Sequence, residues 1–232
     1  HTVTAIDIDH AIVDALYAGE APISEPGLNE LIAKHAGSRL IASTSYDAVP
    51  ESDVTFLAIG TPSNDDGSID LTGLEAAAKA TGEALVDKND QHLVVIKSTV
   101  TPPSIRDVLE SAIRTGSDSN DAVEIAMNPE FLREGTAVSD FQNPDKLVVG
   151  TDSEWSTDQL TAVYEPLLEP ETPIIDTDPE TAAMIKYANN AFLASKVSLI
   201  NDVGNICKEF ELDAYKVAEA IGLDDRISAR FL

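Results

Sequence analysis

Lys186 and Asn190 lie four residues apart in a long apolar stretch, residues 178–210. On a helix that spacing puts an ammonium and an amide on one face. Together they can grip a single oxygen atom. The same spacing also suits a lysine snorkelling to water beside a capped asparagine. A second cluster, N-P-E-F-L-R-E-G-T-A, crowds Glu130 and Glu134 around Arg133 directly after the apolar run 123–127. An acid at the end of a strand can act as a general base where its surroundings raise its pKa. A surface salt-bridge cluster has the same composition. Two hydroxyls, Ser98 and Thr99, follow the run 93–96, where they can face a ligand or cap the next helix. Gly60-Thr61-Pro62-Ser63 closes the run 54–59, and Gly60 permits close backbone approach. Asp7 ends the run 3–6 ahead of a helical pattern. A carboxylate there suits the hydroxyl pair of a ribose in a dinucleotide-binding fold, although Asp is also common at strand ends and helix caps.

These groups need a scaffold that brings strand ends together. Strands are expected at 3–6, 40–42, 54–59, 93–96, 123–127, 146–149 and 173–176, with helices between most of them. That alternation predicts an α/β fold with a doubly wound parallel sheet, whose ligands bind at the carboxyl ends of the strands. D-F-Q-N-P-D, residues 140–145, reads as a loop. Asp178 is a natural N-cap and Pro179 the first residue of a helix running to about residue 210. Because that helix is apolar nearly all round, it is expected to be buried between other elements. The domain boundary is placed just before it, giving 1–177 and 178–232.

The 232 residues include 41 Asp and Glu against 15 Lys and Arg, a formal net charge of −26. Such a surface repels nucleic acid and anionic membranes, so neither is an expected partner. The acids are spread through every segment, as in a halophile's cytoplasm. A hydrophobic content of 43% allows a sizeable core, and no run is long enough to span a bilayer. A cytoplasmic location is therefore expected. Cys207 is the single cysteine, which excludes a disulfide framework and reads as a buried, inert thiol. No metal is expected.

In order along the chain stand P-I-S-E-P-G-L, G-T-P, K-S-T, N-P-E-F-L-R-E-G-T-A, N-P-D-K-L-V-V-G, K-Y-A-N-N-A-F-L-A-S-K and R-I-S-A-R-F-L. This series closely resembles the UDP-glucose 6-dehydrogenase family of nucleotide-sugar dehydrogenases and spans nearly the whole chain. The resemblance implies a Rossmann-like sheet, NAD as cofactor, UDP-glucose as substrate and a homodimer. It implies oxidation of the sugar C6 alcohol to a carboxylate by two NAD, through a thioester on a cysteine. By the same resemblance Asp7 holds the adenosine ribose, and Gly60, Thr61, Pro62, Ser98 and Thr99 form turns beside the dinucleotide. Thr99 also orients water, and Glu130 is the base for thioester hydrolysis. Phe131, Leu132 and Arg133 lie along the substrate, and Glu134 approaches the nicotinamide. Lys186 and Asn190 hold the C6 oxygen, and Arg226 reaches the sugar nucleotide of a neighbouring subunit. The glycine-rich turn expected ahead of Asp7 and the cysteine-bearing G-F-G-G-S-C-F-x-K-D stretch are not in these 232 residues, and Cys207 does not match the latter. Ile12 stands where relatives often carry a basic residue. The chain by itself is therefore expected to be inactive and poorly stable. The alternatives are a GDP-mannose or UDP-N-acetylmannosamine 6-dehydrogenase, a β-hydroxyacid dehydrogenase, and a non-catalytic nucleotide-binding assembly module.

Overall fold

Each apolar run expected to form a strand does so in the computed structural model, which describes residues 1–230. Phe231 and Leu232, the end of R-I-S-A-R-F-L, lie outside the described residues. Strands β1 (Val3–Ile6) and β2 (Leu40–Ser43) pair in parallel as a two-stranded sheet. Strands β3 (Val54–Leu57), β4 (His92–Ile96), β5 (Val123–Met127), β6 (Leu147–Gly150) and β7 (Ile174–Thr177) form a second sheet in that order. All five residues of β4 are buried, which is why its sequence does not alternate. The main core joins Leu93 and Val95 of β4 to Ala126, Leu147, Val149, Leu160 and Tyr164.

One pairing departs from the expected parallel sheet. Strands β5 and β6 run antiparallel and meet only at Met127 and Gly150. Between them the chain does not cross a face of the sheet, so it re-enters from the rim it left. That connection also holds a short helix where a loop was expected.

The helices are α1 (His10–Ala18), α2 (Leu28–His35) and α3 (Thr72–Ala84), followed by α4 over residues 102–116, whose middle, Ile105–Glu110, is π-wound. After them come α5 (Ala137–Gln142), α6 (Glu154–Tyr164), α7 (Pro179–Glu209) and α8 (Ala214–Gly222). Among the described residues no helix is long and apolar enough to cross a membrane.

His92 starts β4 with no exposure at all. Its Nδ1 lies 3.0 Å from the Ser52 carbonyl, which can only accept, so Nδ1 carries the proton. Nε2 then accepts from the Thr55 hydroxyl at 2.9 Å. Burial pushes the imidazole pKa down to about 4, and the nearby Lys88 ammonium acts in the same direction. That ammonium donates to the carbonyls of Pro50 and Ser52 at 2.7 and 3.0 Å.

Helix α7 begins where its cap predicts. The Thr181 amide donates to the Asp178 carboxylate at 2.8 Å. The chain nevertheless divides into compact units inside this helix, between Met184 and Ile185, rather than ahead of it. The first turns belong to the sheet unit because they are packed on it. Ala182 and Ala183 are fully buried. A Cβ added at Gly150 would stand 2.5 Å from the Ala182 methyl and 3.0 Å from the Pro179 Cα. Arg106 Nε donates to Glu180 at 2.7 Å, and the same guanidinium pairs with Glu110 at 2.9 Å and Asp152 at 2.8 Å.

The second unit consists of the rest of α7, helix α8 and the segment after it. Asp213 caps α8 by accepting from the amides of Tyr215 and Lys216. Lys196 Nζ donates to the Ile227 carbonyl at 2.6 Å, and Cys207 is buried. The burial expected all round α7 is not found: Phe192, Leu199 and Ile206 are 73%, 65% and 57% exposed. Two helices alone cannot cover every side of an apolar rod.

Candidate active site

Because β3, β4 and β5 run parallel, their carboxyl ends lie on one rim. Hydrogen bonds lock the turns that leave it. The Ser98 hydroxyl accepts from the Ile59 amide at 2.9 Å and donates to the Ile59 carbonyl at 2.7 Å. Thr61 Oγ1 donates to the Thr99 carbonyl at 3.0 Å. Ser98 is buried, so its hydroxyl serves the neighbouring turn rather than facing a ligand. Thr99 is half-buried, Thr61 is half-buried and Pro62 is exposed. A Cβ at Gly60 would meet nothing within 4 Å, which leaves room at the end of β3 for a ligand.

Asp7 follows β1 directly and is half-buried. One of its oxygens accepts from the Asp9 amide at 2.9 Å, and Asp9 in turn caps α1. A carboxylate fixed between a strand end and a helix start matches what a ribose hydroxyl pair requires. The open end at Gly60 and the anchored Asp7 fit a dinucleotide.

Asn128 anchors the loop after β5, a role not expected from the sequence. It is fully buried. Its side-chain oxygen accepts from Lys97 Nζ at 2.9 Å and from the Tyr164 hydroxyl at 2.6 Å. Its amide nitrogen donates to the Val148 carbonyl at 2.8 Å. The available signal was the asparagine that opens N-P-E at a strand end. Burial raises the Tyr164 pKa, so this phenol is a lasting donor.

From that anchor the loop turns through Glu130, which is half-buried and accepts from the Leu132 amide at 2.6 Å. Arg133 makes a two-pronged pair with Asp140, at 3.0 Å from Nε and 2.5 Å from a terminal nitrogen. Its backbone amide also donates to Asp140 at 3.0 Å. The guanidinium holds the Asp140 carboxyl well below the usual range. Arg133, expected along the substrate, thus also fastens its own loop. Leu132 and Glu134 are exposed and Phe131 is half-buried. Lys146 Nζ sits 4.1 Å above the Phe131 ring centroid. A cavity of about 260 Å³ lies against this loop, lined by Lys97, Glu130, Phe131, Lys146 and Tyr164 among others. Three cations, the carboxylates of Glu130, Asp140 and Asp145, and aromatic faces suit a polar guest.

The remaining expected residues belong to the second unit. Lys186 is buried on α7, and Asn190, one turn on, is exposed. The Arg226 side chain is 89% exposed and pairs with Asp224 at 2.6 Å.

A largely parallel sheet with turns and an acidic strand end arranged in this way has the form of a dinucleotide-binding domain. The profile described as "UDP-glucose/GDP-mannose dehydrogenase family, NAD binding domain" matches residues 1–168, and that of the family's central domain matches residues 180–232. The chain belongs to the UDP-glucose/GDP-mannose dehydrogenase family, and its cofactor is NAD. It is 52% identical to the UDP-glucose 6-dehydrogenase AglM of Haloferax volcanii, over 100% of this chain and 55% of that protein. A solved UDP-glucose dehydrogenase from Pyrobaculum islandicum superposes with a TM-score of 0.93 at 41% identity, covering 100% of this chain and 53% of the other. A GDP-mannose dehydrogenase from Pseudomonas aeruginosa, solved as a ternary complex, gives a TM-score of 0.92 at 36% identity, over 97% and 52%. The chain spans about half the length of these relatives.

Proposed function

We propose that the protein containing this chain oxidises UDP-glucose to UDP-glucuronate with two NAD, using a cysteine outside these 232 residues. The observation that carries the reading is the locked rim at the ends of β3, β4 and β5, with the Glu130 loop rising from it. The greater identity to a UDP-glucose enzyme than to a GDP-mannose enzyme supports the choice of sugar. Asp7 holds the adenosine ribose, and Gly60, Thr61, Pro62, Ser98 and Thr99 shape the turns along the dinucleotide. Bound there, NAD would supply the hydride acceptor for each of the two oxidations.

The chain's own groups do the rest. Lys186 and Asn190 hold the C6 oxygen and stabilise negative charge developing there. Thr99 orients water, and Glu130 takes its proton when the thioester is hydrolysed. Phe131, Leu132 and Arg133 lie along the sugar nucleotide, with Glu134 towards the nicotinamide and Arg226 towards a neighbouring subunit. The exposed apolar face of α7 and α8 supports a homodimer. One UDP-glucose, two NAD and one water would yield one UDP-glucuronate, two NADH and three protons. The cysteine carries the carbon as a thioester between the oxidations and hydrolysis and is regenerated at the end.

The test is turnover of the full-length protein with UDP-glucose, counting NADH per sugar. Two per substrate are expected. One per substrate favours a β-hydroxyacid type of oxidation, and turnover of GDP-mannose alone would reassign the sugar. Binding of UDP-sugars without turnover would make the protein a non-catalytic module.

A further inference from the structure

The stretch P-I-S-E-P-G-L is given no task by the reading above, yet it reaches the loop on which that reading depends. Both carboxylate oxygens of Glu25 are used. The Gly135 amide donates to Oε2 at 3.0 Å and the Ala137 amide donates to Oε1 at 2.8 Å. These amides stand directly after Glu134, at the start of α5. Thr136, the residue ahead of that helix, makes no side-chain cap of its own. The first amides of a helix need an acceptor, and here it comes from more than a hundred positions upstream. Gly135 adopts φ +83°, a conformation that places its amide for this contact and that other residues resist. Gly27 lies beside the same helix: a Cβ there would stand 3.7 Å from Val138 Cγ1, an ordinary packing distance.

We propose that Glu25 is a positioning residue for the substrate loop. Its carboxylate clamps the far end of the segment whose near end is fixed by Asn128, so that Glu130 to Glu134 are held at both ends. The proposal rests on the function given above, because it takes that segment to lie along the sugar nucleotide. A carboxylate is required, since both partners are donors and only two acceptor oxygens can serve them. In Glu25→Gln one oxygen still accepts, but the amide NH2 faces a backbone N–H and that contact is lost.

The experiment compares the full-length wild type with Glu25→Gln by steady-state kinetics and by amide hydrogen exchange. Misplacing a reacting loop by a fraction of an ångström to one ångström lowers kcat/KM for UDP-glucose about ten- to a hundredfold. The KM for NAD is expected to stay within about twofold, which a general loss of structure would not allow. Exchange at Gly135 and Ala137 is expected to quicken while β4 and β5 keep their protection. Unchanged exchange at those two amides, or unchanged kcat/KM for the sugar, overturns the proposal. Protection lost throughout the sheet would assign Glu25 to general stability and also overturns it. Failure of the wild type to oxidise UDP-glucose would sink the functional reading instead, and the exchange comparison would still decide whether Glu25 holds the loop.

Discussion

Acidification is expected to destabilise this protein through His92, and the amount follows from its surroundings. An ordinary histidine titrates at 6.5, whereas His92 is held down to about 4 in the fold. Between those values the unfolded chain takes up a proton that the folded protein refuses, so stability rises with pH across the window. The contribution is complete above the unfolded pKa and is lost as pH falls towards 4. At about 1.36 kcal/mol per pH unit the gap amounts to about 3 kcal/mol. Glutamine at this position can still donate to the Ser52 carbonyl and accept from Thr55, but it does not titrate. Unfolding of the wild type and His92→Gln is therefore followed over a pH series at one high salt concentration. The 41 acids titrate in both proteins and cancel in the difference. The wild type is expected to lose about 3 kcal/mol more than the variant between pH 7 and 4. Parallel curves, or a His92 ring signal titrating near its ordinary value, would refute the reasoning.

Three further perturbations test the packing and the site. Gly150→Ala pushes a methyl against Ala182 and the Met127 carbonyl, and a loss of about 1–3 kcal/mol in chemical unfolding is expected. Arg106→Met removes the pairs to Glu110, Asp152 and Glu180. Because those groups are partly exposed, the melting temperature is expected to fall by the equivalent of about 1 kcal/mol, and by less in high salt. Lys186→Met in the full-length protein is expected to lower kcat for UDP-glucose by about 10²–10³ while NAD binding, followed by fluorescence, is retained.

The strands were legible because each is a short apolar run closed by a polar turn, and in β4 and β6 burial of every residue leaves no alternation to confuse them. The start of α7 was legible for a similar reason: Asp178 and Pro179 are local signals with local causes. What was not legible depends on partners distant in sequence. Helix α5 read as a loop because its cap, Glu25, lies far upstream, and nothing in D-F-Q-N-P-D reports it. Asn128 looked like ordinary turn punctuation until β4, β6 and α6 placed three partners around it. The same holds for Ser98, whose hydroxyl could equally have faced outward. The reversal of β6 was missed because apolar runs carry no direction. The antiparallel register follows from how the connection returns to the rim, a property of the loop rather than of either strand.

Charge placement explains how so acidic a chain can serve anionic ligands. A net charge of −26 opposes the approach of phosphates, but at high salt that field decays within a few ångströms, to about 3 Å at 1 M. Only groups in direct contact then count. Lys97 is held by a buried amide oxygen, and Lys146 lies over an aromatic face. Arg133 is the counter-case: its fork is already matched by Asp140, so it contributes rigidity to the loop before it contributes charge. Of the few cations in the sequence, three therefore line the cavity, Lys97 and Lys146 in fixed positions and Arg133 fastening the loop between them. The acidic surface can be altered widely without touching that arrangement, whereas a single change at Asn128 or Asp140 reaches it directly.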